Sequence, residues 1–160
     1  MENHDQSPTL GSLLNEVSRL IRKKFDQRAK DLELTRAQYY LLAKLSRNEG
    51  INQVGLADLL EVEPISAARL VDRMEAAGWL ERRSDPADRR ARRLFLTPKS
   101  RPVIERMRKI ANGIYDEALA GLDRAARAQL IAALMHARRN LGDHANDAGE
   151  PDPPMALTGS

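Results

Sequence analysis

Apolar residues recur at helical steps over most of the chain, and sharp polar breaks separate the runs. Leu10, Leu13, Leu14, Val17, Leu20, Ile21 and Phe25 follow one another at intervals of three and four or a single step between stripes. That period places them along one side of an amphipathic helix. Ser7-Pro8 is its predicted opening, with proline at an early helical position, and the pattern fades near Asp31. Thr35 can cap a second helix through about Arg47, with Tyr39, Leu42 and Leu45 among its apolar positions. Asn48-Glu49-Gly50 ends it. Asn52 can cap a short helix containing Leu56, Leu59 and Leu60, and Glu61-Val62-Glu63 reads as a three-residue turn. Pro64 cannot sit deep in a helix, and it pushes Glu63 away from helical angles. Both facts set a new helix start at Pro64, running to Ala77 and stopping at Gly78.

The period then changes. A short strand from Leu80 leads into a turn carrying Ser84, Asp85, Pro86 and Asp88, and Leu94-Phe95-Leu96-Thr97 returns as a second strand. Thr97-Pro98 repeats the cap-then-proline signature, so a long helix is predicted next, with Val103, Met107, Ala111, Ile114 and Ala118 on one stripe. Pro102, one turn in, is expected to kink or restart it. Gly121-Leu122-Asp123 breaks to a last helix carrying Leu130, Leu134, Ala137 and Leu141. Residues 1–7 read as a flexible start, and residues 143–160, proline-rich and without period, as a disordered tail. The expected fold class is mostly α with a small β-hairpin.

Composition narrows the chemistry. At 160 residues the chain is most simply one domain, long enough to bury a core. The absence of cysteine excludes a disulfide framework, a thiolate metal site and a thiol-based oxidant sensor. No apolar run approaches a membrane span, and the polar start MENHDQSPTLGS lacks a signal peptide's basic and apolar parts. The expected location is therefore the cytoplasm, with no membrane partner. No phosphate-binding glycine loop, nucleophile elbow or metal-ligand cluster occurs. His4, His136 and His144 are spaced wrongly for a helical metal pair and read as surface histidines. Neither an enzyme nor a cofactor is expected.

Charge changes the picture further. From Arg82 to Arg93 the hairpin holds six arginines against two aspartates, a net of +4, while the whole chain is only +3. A basic hairpin on a near-neutral body is a device for reaching phosphate. It follows a short helix, a three-residue turn and a second helix, which is the helix-turn-helix pattern, and the hairpin makes the unit winged. On a wheel of residues 64–77, Ala67, Leu70, Val71, Met74 and Ala77 share an arc suited to the core. Ser66, Arg69 and Arg73 share the other face, with Ile65 exposed beside them after Pro64. Arginine can bind guanine O6 and N7 together, and an aliphatic side chain can touch a thymine methyl. The plainer alternative is a solvated face on which Arg69 or Arg73 pairs with Asp72 or Glu75. For Arg82, Arg83 and Arg93 the plain reading is strand-face solvation.

The motifs in order carry a family resemblance. DPADRRARRLFLT resembles the wing of the MarR/SlyA family of bacterial transcription regulators. LELTRAQYYLLAKL resembles the family's second helix, and PISAARLVDRMEAAGWLERR its recognition helix and first wing strand. LTPKSRPVI, with proline early and no glycine after Leu-Thr, is closer to the SlyA branch. The resemblance covers roughly residues 10–142. It implies a winged helix-turn-helix at 35–97, with the helices of 8–34 and 98–142 interlacing with a second copy as a dimerisation base. The residues agree independently: three long amphipathic helices are too apolar for a small winged domain to cover alone.

By the same resemblance, Ser66 and Arg69 take base- and phosphate-contacting positions, and Arg90 is the arginine that enters the minor groove. Asp88 is the aspartate that holds the wing arginine by a salt bridge, while Arg89 and Arg92 contact the backbone or support the wing. A small aromatic acid or phenol is implied where base and winged unit meet, with Arg22, Arg36, Tyr39 and Tyr40 as its candidate contacts. One departure concerns Glu61, at a turn position that often carries glycine because a left-handed backbone is cheap there. Glu61 implies a different turn or modest strain. The expected function is a homodimeric regulator on a pseudo-palindromic operator of double-stranded DNA. A low-specificity, nucleoid-type DNA binder and a winged-helix protein-interaction module are the competing readings.

Overall fold

The computed structural model describes residues 7–141, so the predicted tail of 143–160 and most of the flexible start lie outside the described residues. Six α-helices and one hairpin follow in the order α1 (Leu10–Arg28), α2 (Arg36–Arg47), α3 (Gln53–Leu60), α4 (Pro64–Ala76), β1 (Leu80–Ser84), β2 (Arg92–Leu96), α5 (Ser100–Ala118) and α6 (Arg124–Asn140). The fold is therefore the expected mostly helical one with a small antiparallel hairpin.

Local chemistry sets most boundaries. Thr9, not Ser7-Pro8, caps α1, its side chain accepting the Ser12 N–H. Proline has no N–H and lies just outside the helix, where the Thr9 oxygen does the capping. After α1 a single 3₁₀ turn, Lys30–Leu32, reverses the chain. Thr35 and Gln38 form a reciprocal capping box on α2. Asn52 and Asp123 cap α3 and α6 in the same side-chain-to-backbone way. Pro64 opens α4 as its first residue, and Gly78 follows at φ 76°, the left-handed backbone that lets the chain leave the helix.

Two proline expectations change at α5. Thr97 does not cap it: the helix begins at Ser100, and the Thr97 hydroxyl donates to the Gly78 carbonyl at 2.6 Å. Pro102 is thus the third helical residue and causes no break. The first four helical N–H groups have no intrahelical acceptor, so a missing N–H there costs nothing.

The turn between α3 and α4 keeps the left-handed backbone without glycine. Glu61 has φ 54° and ψ 41° and closes α3 by donating its N–H to the Asp58 carbonyl at 3.1 Å. This is the modest strain that the sequence implied, about 1 kcal/mol for a residue with a Cβ.

The core lies inside the winged unit and beneath α5. Phe25, Leu41, Leu42, Leu45, Leu56, Leu60, Val71, Met74, Leu80, Leu94 and Ile114 are essentially fully buried. Of the predicted core arc of α4, Ala67, Leu70, Val71 and Met74 are buried, whereas Ala77 is exposed because the helix ends at Ala76. The strands pair in the register Leu80–Leu96 to Ser84–Arg92. The linker before α3 adds a third edge: Leu94 donates to the Ile51 carbonyl at 2.9 Å, and Gly50 donates to the Leu94 carbonyl at 2.8 Å. The hairpin is therefore fastened to the body at its root.

The two terminal helices differ. On α1, Leu10, Leu13, Leu14, Val17 and Leu20 are exposed, and only Phe25 is buried. No residue of α6 is buried, and its Leu130, Ile131, Leu134 and Met135 face solvent. The apolar stripes read from the sequence exist, but the single chain leaves them uncovered.

Candidate nucleic-acid interface

The candidate surface combines the outer face of α4 with the tip of the hairpin. Pro64, Ile65, Ser66, Arg69 and Arg73 are all exposed, Ile65 at 62%. Arg69 and Arg73 lie four residues apart, on the face opposite the buried arc. Among the described residues neither guanidinium makes an ion pair or a hydrogen bond. The alternative pairing with Asp72 or Glu75 does not occur, because Arg82 from β1 occupies both carboxylates. Its Nη2 donates to Asp72 Oδ1 at 2.6 Å and its Nη1 to Glu75.

The hairpin tip is built by two aspartates acting on backbone. Asp85 Oδ1 accepts the Ala87 N–H at 2.9 Å, and Asp88 Oδ1 accepts the Arg90 N–H at 3.0 Å. The Ala91 N–H donates to the Asp88 carbonyl at 3.0 Å, and Asp85 N–H donates to the Ala91 carbonyl at 3.0 Å. Asp88 therefore does not hold the wing by the expected salt bridge. A short carboxylate two residues before an N–H favours this local turn bond, and Asp88 fixes the Arg90 backbone instead. The wing's ion pair is Asp85 with Arg93, at 2.7 Å. Arg93 also donates to the Gly50 carbonyl at 2.9 Å, which ties the hairpin to the linker before α3. The Ala87 N–H and then Arg93 hold the Asp85 carboxyl below the usual carboxylate range.

The hairpin arginines thus divide into two sets. Arg82, Arg83 and Arg93 each have partners in the fold, although Arg83 and Arg93 stay exposed on the strand face, as expected. Arg83 pairs with Glu81 through Nε at 2.7 Å and lies over the Phe95 ring, 4.4 Å from its centre. Arg89 and Arg90 are exposed, and their guanidinium groups have no partner among the described residues. Arg92 makes one long contact, 3.5 Å to the Ser84 hydroxyl. On this surface four guanidinium groups have no partner among the described residues: Arg69 and Arg73 on the helix, Arg89 and Arg90 on the hairpin. The sequence did not reveal the Asp85–Arg93 and Arg82 networks, although the charge excess marked the region.

The candidate ligand contacts are tied up elsewhere. Tyr39 and Tyr40 are buried in the core. The Tyr39 hydroxyl donates to Asp26, which also takes Arg36 in an ion pair. Burial and then Asp26 raise the Tyr39 hydroxyl pKa, so it stays a neutral donor. Arg22 donates to the Ser18 hydroxyl at 2.7 Å, one turn back on α1. Asp26 carries no local signal of this role, because its partners arrive only after the chain reverses. Among the described residues no group of three or more His, Cys, Asp or Glu could hold a metal ion, and no helix is long and apolar enough to cross a membrane.

A short helix, a tight turn, a second helix with an uncommitted arginine face and a fastened arginine hairpin define a winged helix-turn-helix DNA-binding protein. Residues 34–91 match the sequence model of the MarR family. A Bacillus subtilis (strain 168) relative, the uncharacterized HTH-type transcriptional regulator YybA, is 31% identical over 112 residues, spanning 70% of this chain and 75% of the relative. The crystal structure of transcriptional regulator PA3341 matches with a TM-score of 0.74 at 32% identity, covering 85% of this chain and 100% of that one. The transcriptional repressor CouR, solved on a 23-mer DNA duplex, matches with a TM-score of 0.70 at 28% identity, covering 87% of this chain and 99% of CouR. The chain belongs to the MarR family and is a winged-helix transcription regulator of that type.

Proposed function

We propose that this protein binds a pseudo-palindromic operator as a homodimer, with α4 in the major groove and the hairpin tip in the minor groove. The observation that carries this reading is the division of the arginines. Two guanidinium groups on the outer face of α4 and two at the hairpin tip have no internal partner, while the arginines between them are fixed in ion pairs. A narrow minor groove concentrates negative potential and draws arginine in, and Arg90 on its Asp88-braced backbone suits that role. Arg69 and Arg73, with Ser66 and Ile65, suit base edges. Asp88, Arg89 and Arg92 support the tip or offset phosphate charge.

The dimer follows from α1 and α6. A helix of 17 residues with none buried, tied to its own chain by Arg127 bonds to Asp116 and the Leu119 carbonyl, leaves its apolar stripe without cover. Two apolar stripes of the same chain offer a self-complementary surface to a second copy, so 8–34 and 98–142 form the base and 35–97 the DNA-binding unit. Sedimentation of the full chain is expected to give a dimer. Glu substituted together at Leu130 and Leu134 is expected to shift it to monomer.

Selection from random oligonucleotides tests the operator. The selected site should contain two inverted half-sites about one helical turn, roughly 10 bp, apart. Equal affinity for the selected site and a random duplex at one salt concentration would favour a nucleoid-type binder instead. A small aromatic acid or phenol at Arg22, Arg36, Tyr39 and Tyr40 would have to displace Asp26 from Tyr39 and Arg36. On this reading Asp26→Asn strengthens release of DNA by benzoate, and an unchanged response removes the ligand from the proposal.

A further inference from the structure

Arg82 sits in β1, outside the outer face of α4, yet its side chain reaches two carboxylates of that helix. Its Nη2 donates to Asp72 Oδ1 at 2.6 Å and to Gln53 Oε1 at 2.9 Å. Its Nη1 reaches Glu75, and its backbone N–H donates to Glu75 Oε1 at 3.0 Å. Asp72 and Glu75 are the acidic residues of α4. Asp72 lies three residues after Arg69, a spacing at which opposite charges on a helix are neighbours and attract. The Asp72 side chain is 66% exposed, so without Arg82 it is free to turn toward that arginine.

We infer that Arg82 is a positioning residue for DNA recognition: from the wing strand it sequesters the carboxylates of the recognition helix and so leaves Arg69 and Arg73 free for DNA. The same three partners join β1, α4 and α3, so the wing and the recognition helix keep one relative placement. The inference rests on the reading of α4 as the helix that meets DNA. The mechanism is electrostatic competition. An unclaimed Asp72 carboxylate both pairs with Arg69 and repels phosphate, whereas one held by Arg82 does neither.

The test is a double-mutant cycle on the full chain, read by fluorescence anisotropy on a selected operator and a random duplex, with urea unfolding in parallel. Arg82→Gln is expected to weaken operator binding by about tenfold, the effect of losing one good arginine contact to a base. Asp72→Asn in the parent should change binding little. In the Arg82→Gln background it should recover most of the loss, because the freed carboxylate is the cause. A merely structural role would give no such recovery, since Asp72→Asn cannot restore the lost bridge. If Asp72→Asn changes binding by the same factor in both backgrounds, or Arg82→Gln binds like the parent, the inference is overturned. Where Arg82→Gln unfolds, Arg82→Met, which keeps the aliphatic stem but not the charge, replaces it in the cycle. Arg69→Ala separates the two levels. If it binds operator like the parent, the reading of α4 fails. If it weakens binding while Arg82→Gln does not, only the role of Arg82 fails.

Discussion

Arg90→Ala gives the sharpest test of the hairpin, because its effect must depend on salt in a calculable way. On α4 and the hairpin tip, four guanidinium groups per chain have no partner among the described residues, so the proposed dimer presents eight toward the DNA. If each displaces counterions, log K falls against log salt with a slope of about −7, taking −0.9 per phosphate neutralised. Arg90→Ala removes two of these charges and should lessen the slope by about 1.8. The corresponding loss of affinity is roughly 200-fold at 0.05 M salt, about 30-fold at 0.15 M and about 9-fold at 0.3 M. At 0.15 M this is about 2 kcal/mol for the dimer. The loss should be similar for operator and random duplex, since the contact is to backbone and groove potential. Anisotropy titrations at several salt concentrations, on a variant whose urea unfolding matches the parent, supply the measurement. A loss that stays constant as salt rises, or an unchanged slope, would refute the assignment of Arg90 to the DNA. The structure makes the unfolding control meaningful. The Arg90 side chain has no partner to lose, and Asp88 holds its backbone N–H, which alanine keeps.

Three further outcomes are expected. Arg69→Ala should cost about 1–3 kcal/mol on the selected operator and far less on random duplex, so that selection with the variant returns a relaxed consensus at one position of each half-site. Asp85→Asn should destabilise the wing at neutral pH, seen as faster amide exchange at Ala87 and Arg93. Because the folded pKa of Asp85 is lowered, its contribution is full above the ordinary aspartate value near about 4 and is lost as pH falls through the lower folded value. The difference between parent and variant should therefore vanish at strongly acid pH, and a difference that grows there would contradict the Asp85–Arg93 lock. Glu61→Gly should leave urea stability unchanged or raise it by up to about 1 kcal/mol, since relief of the left-handed strain offsets the added freedom of the unfolded chain. Glu61→Val should lower it by more than about 1 kcal/mol, as a branched Cβ fits that backbone worst.

The sequence by itself determined the elements, because their signals are local. Helix period, the caps at Thr35 and Asn52, and Pro64 at the start of α4 act within a few residues, and each recurs in the structure. The outer face of α4 was legible for the same reason: Ile65, Ser66, Arg69 and Arg73 are exposed opposite a buried arc fixed by helical geometry. The misread boundary at Thr97-Pro98 was a local signal with two outcomes. Only the packed hairpin decided that the Thr97 hydroxyl would bond to Gly78 rather than cap α5.

What tertiary structure alone decided is which charges are available. In sequence the hairpin is a basic run with a net of +4, whose arginines are told apart only by strand position and family resemblance, not by their partners. In the fold, Arg82 is claimed by Asp72, Glu75 and Gln53, and Arg93 by Asp85 and Gly50, while Arg89 and Arg90 stay free. Those partners lie up to 29 residues from Arg82 and 43 from Arg93, so no local pattern announces them. A charge becomes structural only when packing brings a carboxylate or carbonyl within hydrogen-bond reach and removes competing water. The chain therefore encodes a basic hairpin in its composition, but its usable charge is set by strand register and by the docking of β1 against α4.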